Sequence, residues 1–186
     1  MGKDVWVESV GKSVTSSFPA PQPPFRRSQQ KPILAVDVDG VISLFGFEEA
    51  PARSEARFEL VDGMVHCISL VAGDRLRRLE EHYELVWATG WEEKANDYLP
   101  GLLGLAELPH ISFDGAARFG SAHWKLGPIA EYAADRPLAW IDDNLDESCH
   151  EWARRRPAPT LLVPTESHLG IEEAHVAALE AWAAAL

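Results

Sequence analysis

An α/β fold built on a doubly wound parallel sheet of about five strands is what the sequence predicts from about Pro32 to Leu186, and three observations carry that expectation. Short β-rich apolar runs alternate with longer amphipathic stretches, the pattern of strands joined by crossover helices. Two of those runs, Ile33-Leu34-Ala35-Val36 and Leu138-Ala139-Trp140-Ile141, are apolar throughout and stop at an aspartate, as strands buried on both faces do. At 186 residues, 46% of them hydrophobic and 25% charged, the chain is large enough for one core of ordinary size without disulfide staples.

Before the fold, Met1 to Lys31 carries Pro19, Pro21, Pro23 and Pro24 among serines and glutamines with no sustained apolar period, which reads as a flexible leader, residues 1–31. A single folded domain is expected over 32–186. Its first strand, Ile33–Val36, should be central. Arg57-Phe58-Glu59-Leu60-Val61 and Met64-Val65-His66-Cys67 then flank Asp62-Gly63, a dipeptide that favours a two-residue hairpin turn, so a small β-flap is expected there.

Ile68, Ala72, Leu76 and Leu79 recur at helical spacing and predict a helix leading into a second strand, Glu84–Ala88. A helix around Glu92–Leu103, a short strand at His110–Phe113 and a helix opened by Pro128 follow, the proline suiting a first turn that needs no amide donor. Leu138–Ile141 is the next strand, then a helix through Ser148–Arg155, a strand at Thr160–Val163, and a final helix carrying Ile171, His175, Leu179, Trp182 and Leu186.

With 29 acidic against 17 basic residues the formal charge is -12, a field that repels nucleic acid and anionic membranes, so no stable nucleic-acid binding is expected. A local patch would have to come from Arg75, Arg77 and Arg78 or from Arg154, Arg155 and Arg156. Cys67 and Cys149 lie outside any ligand spacing and read as buried thiols in a reduced, cytoplasmic compartment. No run approaches the roughly 18 apolar residues of a membrane span, and no basic segment precedes an apolar stretch at the amino terminus.

In a parallel sheet ligands bind beyond the carboxyl ends of the strands, where Asp37, Thr89 and Asp142 fall. Asp37 and Asp39 are two apart, so both side chains can share one side while Val38 turns away. One carboxylate can attack phosphorus while the other serves the leaving oxygen and then water as general acid and base. Gly40 would let the backbone turn beside the substrate.

A magnesium ion needs one or two carboxylates plus substrate phosphate, and Asp142 and Asp143 supply them, with Asp146 as a supporting or helix-starting residue. Thr89, with Gly90 beside it, can offer hydroxyl and amides to phosphate, and Lys125 a compact positive charge.

In order and type this set resembles the haloacid dehalogenase-like (HAD) hydrolase superfamily. Asp37-Val38-Asp39-Gly40-Val41 matches the first family motif, Thr89 the second, Lys125 the third and Asp142-Asp143 the fourth, over roughly Pro32 to Val163. The resemblance implies a Rossmann-like core and Mg2+ held by Asp37, Asp39, Asp142 and Asp143, Asp39 through its backbone carbonyl. It implies Asp37 as the nucleophile of an aspartyl-phosphate, Asp39 as acid and base, and phosphatase chemistry, since an aspartate at Asp39 is the phosphatase pattern. Trp87-Ala88-Thr89-Gly90-Trp91 and Leu138–Asp143 are also similar to HAD domains associated with RNA-repair proteins.

The intervals between motifs leave room for little or no cap domain, hence an open site where Phe45, Trp91 and Trp124 can stack on a base or sugar. The expected partner is a phosphorylated substrate, a small molecule or a nucleic-acid end. Two other readings remain open: a receiver-like phospho-accepting module, which the motif order disfavours, and a catalytically silent scaffold.

Overall fold

β1 (Ile33–Val36) lies between two parallel neighbours in a four-stranded sheet ordered β5-β1-β6-β7. The computed structural model describes residues 30–113 and 121–186. The leader expected over 1–31 therefore lies, apart from Gln30 and Lys31, outside the described residues. Along the chain β2 (Ser43–Leu44), β3 (Ala56–Val61) and β4 (Met64–Ser69) follow β1, then α1 (Val71–Glu80), β5 (Glu84–Trp87) and a 3₁₀ turn at Glu92–Lys94 running into α2 (Ala95–Leu103). A second 3₁₀ turn at Ala122–Lys125 opens α3 (Leu126–Ala133), followed by β6 (Leu138–Asp142), α4 (Glu147–Arg155), β7 (Thr160–Pro164) and α5 (Glu173–Ala184).

Every strand pair of this sheet is parallel, with Val36 opposite both Trp87 and Ile141. The two faces are read off alternate residues. Leu34, Val36, Leu85, Trp87, Ala139 and Ile141 pack into a core with α1, α2 and α5, whereas Ile33, Ala35, Val86, Leu138 and Trp140 pack into another with α3 and α4. Helices therefore cover both faces, which is why β1 carries no polar residue until it ends.

After β1 the chain places β5 on one side and β6 on the other, so the carboxyl ends of β1 and β6 flank the point where strand order reverses. Asp37 and Asp142 stand at that point.

The hairpin forms where Asp62-Gly63 predicts it. Both residues have positive φ, 50° and 82°, which the two central positions of a type I′ turn require. β2 adds to β4, making a three-stranded antiparallel sheet ordered β2-β4-β3.

Three expectations are corrected. The strand expected at His110–Phe113 is reduced to a single parallel bridge between Trp87 and His110, flanked by hydrogen bonds from Trp87 N to Pro109 O and from Ile111 N to Trp87 O, both 2.9 Å. Pro109, which has no amide hydrogen, stops the ladder from extending toward its amino end. Ile68 belongs to β4 rather than to the following helix, because its backbone pairs with Ser43 and Arg57. Pro128 is the third residue of α3, not its opener, still within the turn whose amides have no helical acceptor.

Cys67 and Cys149 are buried and unpaired, and burial raises both thiols, Cys149 to about 11. No helix among the described residues is long and apolar enough to cross a membrane. The arginines that might have formed a basic patch are spent on the protein itself. Arg75 donates to Ile171 O and Arg77 to Leu103 O, Arg78 pairs with Glu173 and Glu180, Arg154 with Glu147 and Arg155 with Glu151, and Arg156 donates to the Ala134 and Arg136 carbonyls.

Candidate active site

The backbone just past β1 sets the site. Asp37 N donates to Ile141 O at 3.1 Å, continuing the ladder one residue beyond the strand and fixing the Asp37 side chain against β6. The chain then turns tightly, with Val41, Ile42 and Ser43 all donating to Val38 O. Gly40 permits this turn at φ 71°, and a Cβ there would sit 2.2 Å from Asp143 Cγ, so the Gly40 backbone and the Asp143 carboxylate are pressed together. Thr165, just past β7, clamps the same turn by donating its hydroxyl to Gly40 O at 2.9 Å.

From the 3₁₀ turn, Lys125 reaches both strand ends. Its Nζ lies 2.9 Å from Asp37 Oδ1 and 2.7 Å from Asp142 Oδ2, with all three side chains nearly closed to solvent. Asn144 N donates to Asp142 Oδ1 at 2.9 Å, and Ala122 N to Asn144 O at 3.0 Å, tying the turn that carries Lys125 to the loop after β6. Carboxylate oxygens of Asp37, Asp142 and Asp143 lie within 4.8 Å of one another.

One buried ammonium cannot balance three such carboxyls. Burial raises Asp37 to about 8, the charges of Asp142 and Asp39 add to the rise, and Lys125 opposes it. Asp143 is raised to about 6, again chiefly by burial and then by Asp142. Burial would lower Lys125, yet Asp37 and Asp142 outweigh it and keep the group a raised, firmly charged ammonium. Without a cation the cluster therefore stores a proton at neutral pH. Such a donor set, all hard oxygen and short of positive charge, suits a hard divalent cation such as Mg2+.

A cleft of about 540 Å³ opens over this floor. Asp37, Asp39, Gly90, Lys125, Asp142 and Asp143 all line it, so six of the seven site residues named from the sequence meet in one place. Thr89 does not line it. It is wholly buried, and its hydroxyl accepts from Trp91 N at 3.3 Å, which shapes the loop that presents Gly90. Asp146 is the N-cap of α4, accepting from Cys149 N at 3.1 Å and from the hydroxyls of Ser148 and Ser121, contacts that hold its carboxyl well below the usual range.

Asp39 turns away from the carboxylate cluster toward the open side. Trp91 Nε1 donates to its Oδ2 at 3.0 Å, and His66 Nδ1 stands 3.7 Å from its Oδ1 and 2.9 Å from Ser43 Oγ. Trp91 in turn is held edge-on by His66 and by Tyr98, at ring distances of 4.7 and 6.4 Å.

These contacts were missed from the sequence, where Trp91 reads as a stacking platform and His66 as part of a flap strand. A signal existed for His66, a polar residue between Val65 and Cys67 on the strand face shared with Met64. Thr165 offered one too, as a polar residue just past an apolar strand, the same signature as Asp37. Compared with known proteins, the chain matches no family model and no curated sequence.

Proposed function

We propose that this chain is a Mg2+-dependent phosphomonoester hydrolase that works through an aspartyl-phosphate on Asp37. One observation carries the reading: Asp37 sits at the strand-order reversal against Lys125 and Asp142, within a three-carboxylate cluster, with Asp39 two residues on and facing the open cleft. The HAD-like resemblance of the motifs belongs to the same proposal.

In this reading an Asp37 oxygen attacks phosphorus as the bond to the leaving alcohol breaks, and Asp39, at the open side, gives that alcohol oxygen a proton. Asp39 then takes a proton from the water that attacks phosphorus, the bond to Asp37 breaks, and phosphate and free Asp37 are regenerated. General catalysis of this kind contributes about 10²–10⁴-fold. Lys125 keeps its charge throughout and offsets that of Asp142 and the transferring group. Asp37, Asp142 and Asp143 would hold the cation, whose chemistry is to neutralise phosphoryl oxygens and to release the proton stored on the cluster. Trp91 and His66 orient Asp39.

The test is release of phosphate from an aryl phosphate with Mg2+, abolished by chelation and by Asp37→Asn. In Asp39→Asn the peptide holding Asp37 should gain the mass of one phosphoryl group. Full activity in Asp37→Asn would remove the nucleophile assignment, and a phosphorylated wild type that does not turn over would favour a phospho-accepting module instead.

A further inference from the structure

We propose that the leaving alcohol of this reaction carries an uncharged aromatic ring, held by the cleft walls through contact rather than hydrogen bonding. The inference rests on the phosphomonoesterase reading for its chemistry, but on different residues for its specificity.

The floor of the cleft is charged, and above it the lining is largely apolar apart from the Lys94–Asp62 ion pair. Phe45 and Met64 are 46% and 65% exposed, large apolar side chains left open to solvent, and both line the cleft together with Val61 and Trp124. Several polar side chains of the lining hydrogen-bond within the protein. At the mouth Lys94 Nζ lies 2.5 Å from Asp62 Oδ2, pinning the hairpin tip to the loop after β5. His66 is engaged by Ser43 at 2.9 Å, Asn144 donates to Asp143 at 3.1 Å, and Ser121 donates to Asp146.

A sugar or polyol would press hydroxyls against Phe45, Met64 and Val61, side chains that offer no hydrogen bond, and each hydroxyl left without a partner costs about 1–3 kcal/mol. A ring makes no such demand. It covers Phe45 and gains a sulfur contact from Met64. Trp91 is held by T-shaped contacts with His66 and Tyr98 and by the bond from its indole N–H to Asp39, which suits it to positioning Asp39.

Charge points the same way. Lys94 and Lys125, the two cations of the lining, are each neutralised by aspartate, so nothing in the walls favours further anionic groups beyond the phosphoryl being transferred. The cleft volume of about 540 Å³ lies within the ~300–1,000 Å³ range of small-molecule sites.

The experiment compares phenethyl phosphate with ethyl phosphate, glycerol 1-phosphate and glucose 6-phosphate, all esters of primary alcohols, in the full chain with Mg2+. Binding of benzylphosphonate and methylphosphonate is measured beside them by calorimetry. The proposal expects kcat/KM and phosphonate affinity to favour the aromatic member by at least about tenfold, the gain available from burying one ring. That ratio should drop severalfold in Phe45→Ser and Met64→Ser, whose exposed positions leave the core intact. Equal values for aromatic and aliphatic members, a preference for glucose phosphate, or a ratio untouched by both substitutions would overturn it. If no monoester is hydrolysed the phosphatase reading fails by itself, and the phosphonate pair still decides whether the walls select a ring.

Discussion

Replacing Asp37 with asparagine should make the metal-free protein more stable, not less, although it removes the residue assigned as nucleophile. Asp37 is raised to about 8 by burial and by neighbouring carboxylates, so in the folded state at pH 7 it keeps a proton that the unfolded chain, near 3.8, has released. A carboxyl whose folded pKa is raised contributes its full stability below the unfolded value and loses it as pH climbs to the folded one. Holding the proton across the interval from 3.8 to 7 costs at most about 4 kcal/mol at 1.36 kcal/mol per unit. With relaxation of the surrounding side chains, about 2 kcal/mol is the expected gain.

Asparagine imitates the protonated form, and Lys125 keeps its 2.7 Å contact with the charged Asp142. For a domain of this size that gain corresponds to a rise in Tm of roughly 4–8 °C. The assay is thermal unfolding in chelator from pH 4.5 to 8. The variant's advantage should be largest at pH 7–8 and shrink toward pH 4.5, as the unfolded wild type begins to take up the proton that the folded state already holds. Adding Mg2+ should stabilise the wild type more than the variant and narrow the gap. A variant less stable than wild type at pH 7 in chelator, or a gap that ignores pH, would refute the reasoning.

Gly40→Ala should lower stability by about 1–3 kcal/mol by chemical denaturation and weaken Mg2+-dependent stabilisation, because a Cβ at φ 71° would occupy the place of the Asp143 carboxylate. Asp146→Ala should cost about 1 kcal/mol at neutral pH as a lost N-cap. Asp146 has a lowered folded pKa, so that difference should be present above the unfolded value near 3.8 and fade as pH falls below it, a trend read from urea titrations between pH 2.5 and 7. Trp91→Phe keeps the ring and removes the donor to Asp39. It should reduce kcat about tenfold with little change in KM; equal effects on both would make Trp91 a substrate contact instead of a positioning residue.

Local chemistry made much of this molecule legible. Asp62-Gly63 specified its hairpin because few residue pairs accept two positive φ angles in succession, and β1 was readable because a strand covered on both faces has no polar position to confuse it. Asp146 was readable as a helix start for the same reason: its bonds reach only three residues along the chain or across to one serine.

What stayed hidden depended on distant partners. Whether His110–Phe113 pairs as a strand is decided by its neighbour β5 and by Pro109, and Ile68 is claimed by two strands before the helix can use it. The contact that shapes the loop after Thr89, from Trp91 N to the Thr89 hydroxyl, likewise had no signature in the sequence. The link from Trp91 to Asp39 spans 52 positions and leaves no periodic trace.

The floor and the walls of the cleft solve one electrostatic problem from opposite ends. Three carboxyls around one ammonium give the floor no net attraction for a phosphoryl dianion, and the chain's charge of -12 adds to the repulsion at long range. In the proposed reading affinity then comes from two sources: a cation that takes the place of the proton stored on Asp37, and an uncharged portion of the ligand that gains from Phe45 and Met64. Either source alone is weak. An aromatic alcohol without phosphate gains nothing from the floor, and inorganic phosphate gains nothing from the walls. If the proposed reaction and ligand class hold, the intact ester is bound more tightly than either of its products, each of which keeps only one of the two sources of affinity.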